Sequence, residues 1–194
     1  MEKYSVISKK PIEKEENNLM FKGNKTNILN YQDNEIILEK DTIAILPYFK
    51  DEGFILMKHE YNLAYQYKLK NFNNYKNETN FLTCITGSVE ENESIIQAMR
   101  RELYEETGIV LSEFFPLTID KKFFKTKNNI STYYPFLLEI SNQEYKSTTV
   151  VGKDKQDKDL SKTIKIDINN INDIQTFDLI TEYLLLRLKT EYNF

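Results

Sequence analysis

The chain has one cysteine, Cys84, and one histidine, His59, among its 194 residues. A lone cysteine excludes an internal disulfide and fits a reducing compartment, so a cytoplasmic location is expected. No motif pairs the two residues for nucleophilic chemistry. Cys84 stands beside Ile85 in an apolar stretch and reads as buried packing. His59 follows an apolar strand and reads as a surface residue. No run of apolar residues approaches the roughly 18–20 needed to cross a membrane. The first residues, MEKYSVISKKPIEKEENN, lack the apolar region of a signal peptide. No membrane partner is therefore expected. Basic charge is also short: the net charge is −4, which argues against a protein that coats nucleic acid. No stable nucleic-acid partner is expected, but a nucleotide held through a metal remains compatible with this charge.

What is present can build a core. Hydrophobic residues make up 40% of the chain and aromatic residues 13%, a supply of bulky side chains for one domain with an added arm. Residues 1–36 are polar and read as an N-terminal arm, with sparse apolar clusters at Leu19-Met20-Phe21 and Ile28-Leu29. Residues 37–194 read as the folded domain. Strands are expected at Ile36–Leu38 and Thr42–Tyr48, with a turn at Lys50–Gly53 leading into a hairpin partner at Phe54–Lys58. Asn71–Asn80 reads as a polar loop and Phe81–Ile85 as one short strand ending at Gly87. A helix follows, with Asn92 as N-cap, Glu93 in its first turn, Ile95, Met99 and Leu103 as its core stripe, and Gly108 as its left-handed stop. Ile109–Leu111, Phe114–Ile119, Tyr133–Ile140 and Thr163–Ile168 are expected as further strands or their approaches. Lys153–Asp159 reads as a charged loop, and Phe177 to Tyr192 as an amphipathic helix. This order of elements predicts an α+β fold with a mixed sheet flanked by helices.

The carboxylates of the first helix are badly placed for a bare helix. Glu102, Glu105 and Glu106 fall in its last two turns, where the partial negative charge of the C-terminus costs acids about 0.3–1 kcal/mol each. Glu102 and Glu106 also repel as an i,i+4 pair, for a few tenths more. Spacings of three and four put Glu102 on one face with both other acids. A solvated face balanced by Arg100 and Arg101 is the ordinary reading of three acids on a helix. A divalent cation against the face would instead make the cluster favourable.

The surrounding spacing decides between these readings. Gly87, five residues, Glu93, seven residues, then Arg101-Glu102-Leu103, Glu105-Glu106 and Gly108-Ile109 fill every defined position of the Nudix box. The chain therefore resembles the Nudix hydrolases, by the box itself and by the order of strands from Ile36 to the C-terminus. That resemblance implies an α/β/α sandwich and hydrolysis of a nucleoside diphosphate linked to another group. It implies Mg²⁺ as cofactor, with Mn²⁺ as the alternative. Glu102, Glu105 and Glu106 match the metal ligands, and the carbonyl near Gly87 completes the set. Glycine there lets backbone approach a metal closely. Arg101 matches a residue that pairs with a glutamate and holds the acids in place. Glu93 matches a supporting position, and Gly108 ends the helix. Glu105 and Glu106 are candidates for the general base. A loop after the box supplies a further acid in some members. Asp154, Asp157 or Asp159 fills that place in the order of elements, Asp157 being the candidate carried forward.

Substrate choice lies outside the box. The polar arm before the Thr42 strand resembles the dimer-forming strands of ADP-ribose and related nucleotide-sugar pyrophosphatases, which implies a homodimer built through residues 1–40. The stretch FILMKHEYN resembles the strand those enzymes end with a basic-aromatic segment, so Lys58 and Tyr61 are candidate phosphate and base contacts. The chain departs from those enzymes just before the box. It has Thr83-Cys84-Ile85-Thr86 where they usually carry an acid, a proline and a small residue. ADP-ribose or another nucleotide sugar is the expected substrate. Nucleoside polyphosphates, capped RNA ends and a non-catalytic nucleotide sensor stay open as alternatives.

Overall fold

A computed structural model describes residues 27–31, 34–61, 80–113, 115, 121–126, 129–141, 161–176 and 178–192. The strands are β1 (Asn27–Tyr31), β2 (Asn34–Leu38), β3 (Thr42–Phe49), β4 (Phe54–Tyr61), β5 (Asn80–Thr83), β6 (Ile85–Ser88), β7 (Phe123–Thr126), β8 (Asn129–Glu139) and β9 (Ser161–Asp167). The helices are α1 (Ile95–Thr107), between β6 and β7, and α2 (Leu179–Tyr192) after β9, with a 3-10 turn at Ile168–Asp173.

All nine strands join one mixed sheet. β3 is its centre, parallel to β8 and antiparallel to β4 and β6. From Ile43 to Phe49 it is buried on both faces, which explains an apolar run without polar alternation. Ile43 and Ile45 face α1, where they pack with Met99, Leu103 and Phe136. Ala44, Leu46 and Tyr48 face α2, with Ile180, Leu184 and Leu188. Two helices thus cover opposite faces of one sheet, the expected α/β/α sandwich. The β1–β2 hairpin extends that sheet past β8 and spans the 36/37 boundary between arm and domain.

Several sequence expectations need correction. The stretch Phe81–Ile85 is two strands broken at Cys84. β5 pairs with the far half of β4, while β6 pairs with the start of β3. At the break the buried Cys84 N–H leaves the ladder and donates to Thr181 Oγ1 on α2, at 2.9 Å. The thiol is fully buried, as expected, and burial pushes it up to about 12.

Ile109–Leu111 is not a strand. Ile109 and Leu111 turn into the core, and the Arg100 guanidinium takes the Leu111 and Ser112 carbonyls at 2.8 and 2.9 Å in place of a neighbouring strand. Phe115 is likewise outside any strand, and the rest of Phe114–Ile119 lies outside the described residues. So do residues 71–79 of the polar loop and the whole charged loop Lys153–Asp159. The 3-10 turn, β1 and β7 add three elements that the pattern alone does not predict.

Candidate active site

The start of α1 is set by Ser94 rather than Asn92. Ser94 Oγ accepts from the Gln97 N–H at 3.2 Å while Gln97 Oε1 accepts from the Ser94 N–H at 2.8 Å, a reciprocal capping box. Asn92 instead adopts a left-handed turn conformation, with φ of 65°. Glu93 consequently precedes the helix. Its carboxylate accepts from the Glu90 N–H and faces Arg101. At the other end Gly108 takes φ of 73° and donates its N–H to the Tyr104 carbonyl.

Arg101 is the hub of the box. Its Nε and Nη2 grip the two oxygens of Glu93, both at 2.9 Å, in the fork geometry that only a guanidinium offers. Nη1 donates to Glu102 Oε1 at 2.6 Å and Glu105 Oε2 at 3.2 Å. Nη2 also donates to the Ser88 carbonyl at 2.9 Å, which ties the helix to the end of β6. These carboxylates, Glu93 foremost, hold the guanidinium protonated well above its ordinary range. In return Arg101 holds the Glu93 carboxyl below its usual value.

Glu102 is the most buried of the three carboxylates on α1, at 14% exposure. Burial pushes its carboxyl up; Arg101 opposes that shift, and repulsion from Glu105 and Glu106 adds to it. Gly87 lies against it so closely that a Cβ on Gly87 would stand 1.9 Å from Glu102 Cδ. Glycine at this position leaves the carboxylate room to stand where it does.

Glu106 faces a different cation. Its Oε1 lies 3.0 Å from Lys58 Nζ, with the lysine side chain only 6% exposed. The Glu106 carbonyl accepts from Thr163 Oγ1 at 2.9 Å. Lys58 and Thr163 are directly paired across β4 and β9, so one rung of the sheet grips the end of α1 twice. Lys58, read from the sequence as a candidate phosphate contact, is buried beside the acids.

Tyr61 is the last residue of β4 and pairs with Asn80. His59, on the opposite side of the strand from Lys58, is exposed. Asp157, with Asp154 and Asp159, lies outside the described residues. Lys58's partnership with Glu106 and the Thr163 clamp have no local signature, since their partners are 48 and 57 residues away. The Ser94–Gln97 capping box did have one, the Ser-x-x-Gln spacing.

The donor set suits a hard divalent cation. Three carboxylates lie in the last two turns of α1, and the backbone of Gly87 stands against the most buried of them; Mg²⁺ favours such oxygen ligands. As placed, Arg101 and Lys58 occupy these carboxylates, and among the described residues no three acids, cysteines or histidines close around a single point. Cation binding at this face requires the acids to turn from their protein partners. A separate cavity of about 450 Å³, lined in part by Phe123, Tyr133, Asp178 and Tyr183, opens between β7 and α2. None of the box residues lines it.

A family model described as the NUDIX domain matches residues 40–160. Among solved structures, one described as the crystal structure of an ADP compounds hydrolase superposes with a TM-score of 0.60 at 14% identity, covering 87% of this chain and 84% of that one. Another, of MutT, from work on the fish pathogen Aliivibrio salmonicida and on Vibrio cholerae, gives a TM-score of 0.48 at 16% identity, covering 76% of this chain and 98% of the other. Curated proteins give no match. With its box filled from Gly87 to Ile109 and the family model spanning most of the chain, this protein belongs to the Nudix family of pyrophosphohydrolases.

Proposed function

We propose that the protein is a Mg²⁺-dependent hydrolase of the pyrophosphate bond in a nucleoside diphosphate derivative, with ADP-ribose or another nucleotide sugar as its substrate class. The observation that carries this reading is the Arg101 hub, which gathers Glu93, Glu102 and Glu105 beside Gly87. Glu102, Glu105 and Glu106, with the Gly87 carbonyl, would hold the cation. When bound, it supplies charge neutralisation and polarisation of the pyrophosphate and makes an attacking water more acidic.

The chain's own residues do the rest. Arg101 orients two acids from one planar group, and Glu93 fixes that group from behind. Glu105 is the most exposed box carboxylate, at 44%, and is positioned to take a proton from water entering the face. Asp157 remains a candidate for a second acid. The preference for an ADP derivative draws on the basic-aromatic end of β4 and on the fold shared with the ADP compounds hydrolase.

A panel of nucleoside diphosphate derivatives, nucleoside triphosphates and capped RNA, assayed with Mg²⁺ for product and for binding, tests the reading. Turnover of a nucleotide sugar that collapses in Glu105→Gln and Glu106→Gln supports it. Binding without product points to a sensor, and cleavage of capped RNA alone to an RNA-end enzyme. We also propose residues 1–36 as a dimer-forming arm, since among the described residues β1 is the end strand of the sheet, and an edge strand has backbone groups to share. A monomeric mass in solution overturns that part.

A further inference from the structure

We propose that the cavity between β7 and α2 is a binding site for a 6-aminopurine ring such as adenine, with Asp178 as its recognition acid. Its volume of about 450 Å³ lies within the span of about 300–1,000 Å³ usual for small-molecule sites. Phe123 and Tyr183 stand edge to face in its wall, with ring centroids 4.7 Å apart. Phe123 is paired with Tyr133 across β7 and β8, which adds a third ring. Phe124 and Leu179, 74% and 86% exposed, also line the cavity. Strand alternation would turn Phe124 away from Phe123. The pairing of β7 with β8 shifts register between Phe124 and Thr126, however, and such irregularities re-aim side chains. Exposed apolar side chains beside aromatic walls suit a flat ring that stacks.

The polar groups select the ring. Asp178 Oδ2 already accepts from the Thr181 N–H at 3.1 Å and from the Thr181 hydroxyl at 2.5 Å. Among the described residues Asp178 Oδ1 has no hydrogen-bond partner. Lys125 lines the cavity as well, but its ammonium is held by Glu39 at 3.2 Å. One carboxylate oxygen is therefore open to one incoming N–H. The Tyr133 hydroxyl likewise has no hydrogen-bond partner among the described residues. Burial, helped by the charge of Asp178, pushes it up to about 12, so it stays protonated and can donate. A matching ligand brings one donor beside an acceptor. Adenine does so on either side, because its amino group stands between N1 and N7. Guanine presents two adjacent donors, which call for both oxygens of a carboxylate.

The test compares adenosine with purine riboside, which lacks only the amino group, by titration calorimetry without divalent cation. The wild type should bind adenosine about tenfold more tightly. Asp178→Asn keeps a good helix cap, but its one oxygen is taken by Thr181 and an amide N–H₂ faces the ring. The tenfold gap should close in that variant. Should it fail to fold, Tyr133→Phe should weaken both nucleosides about fivefold through loss of the hydroxyl.

Equal affinity for the two nucleosides in the wild type, or an unchanged gap in a folded Asp178→Asn, overturns the proposal. So does a Tyr133→Phe variant that binds both as the wild type does. Turnover of a nucleotide sugar with Mg²⁺ then identifies the source of the ring. Adenosine that raises KM assigns the cavity to the base of the substrate; adenosine that binds without raising KM assigns it to a separate nucleoside, and either result supports the site. The calorimetry needs neither cation nor turnover, so failure of the hydrolase reading leaves its result standing.

Discussion

Gly87 and Glu102 are in steric contact: a methyl group on the glycine would overlap the glutamate carboxyl carbon at 1.9 Å. The close approach joins β6 to α1 at the point where the acid is most buried. Gly87→Ala must therefore either rotate Glu102 off Arg101 or push the strand away. We expect a loss of stability of about 1–3 kcal/mol, as for other overpacked sites. Turnover should fall by about a hundredfold, the scale set by an ångström of misplacement. Thermal unfolding and steady-state kinetics check the two effects. Full activity in Gly87→Ala would show that Glu102 need not stand where it does.

Arg101→Lys tests the fork. Lysine keeps the charge but cannot grip both oxygens of Glu93 while reaching Glu102, Glu105 and the Ser88 carbonyl. The loss of charge-assisted hydrogen bonds should cost about 1.5–3 kcal/mol. Turnover should drop about ten- to a hundredfold while KM changes little, because the residue orients acids rather than binding substrate. A selective rise in KM would reassign Arg101 to the substrate.

The Glu93–Arg101 pair has a defined pH signature. The folded carboxyl is held below its ordinary value, so the unfolded chain binds the proton first as pH falls. The stabilisation is fully present above the unfolded value and disappears as pH falls through the lower folded one. The melting-temperature gap between wild type and Glu93→Gln should be widest near pH 7 and shrink progressively in acid. Circular dichroism melts at several pH values measure it. A gap that widens in acid would contradict the pairing.

Thr181→Val removes the acceptor of the buried Cys84 N–H. An unsatisfied buried donor costs about 1–3 kcal/mol, and Thr181→Ser should recover most of it. Turnover per folded molecule should not change, since α2 packs on the face opposite α1. The only thiol in the chain reports the outcome. With its pKa pushed up to about 12, Cys84 should resist alkylation in the native state and react faster in Thr181→Val through transient unfolding.

The sequence made the acids legible because their relation is local. Residues 102, 105 and 106 share one helix, and a helix fixes the angular spacing of its own side chains. Gly108 was equally legible, since a left-handed stop needs its residue type. Lys58 was visible only as a basic residue at a strand end. Its actual neighbour depends on how β4 crosses beneath the last turn of α1, which no short window encodes. The same limit explains Cys84. An apolar run looks uniform whether or not it changes partners midway, and only the splaying of β3 from β4 makes it break. Asparagine caps helices well, which points to Asn92, yet the reciprocal bond with Gln97 gives Ser94 the stronger position.

The rung formed by Lys58 and Thr163 gives β9 an influence on chemistry to which it contributes no acid. Side chains along a strand alternate between faces, so inserting one residue within β9 ahead of Thr163 would turn the hydroxyl toward α2 and bring a neighbour to the catalytic side. Adding two residues would preserve the facing while shifting the rung along. The parity of β9 is thus part of what defines the candidate site. Drift in the chain leading up to Ser161 is tolerable to the extent that it leaves this odd–even phase intact.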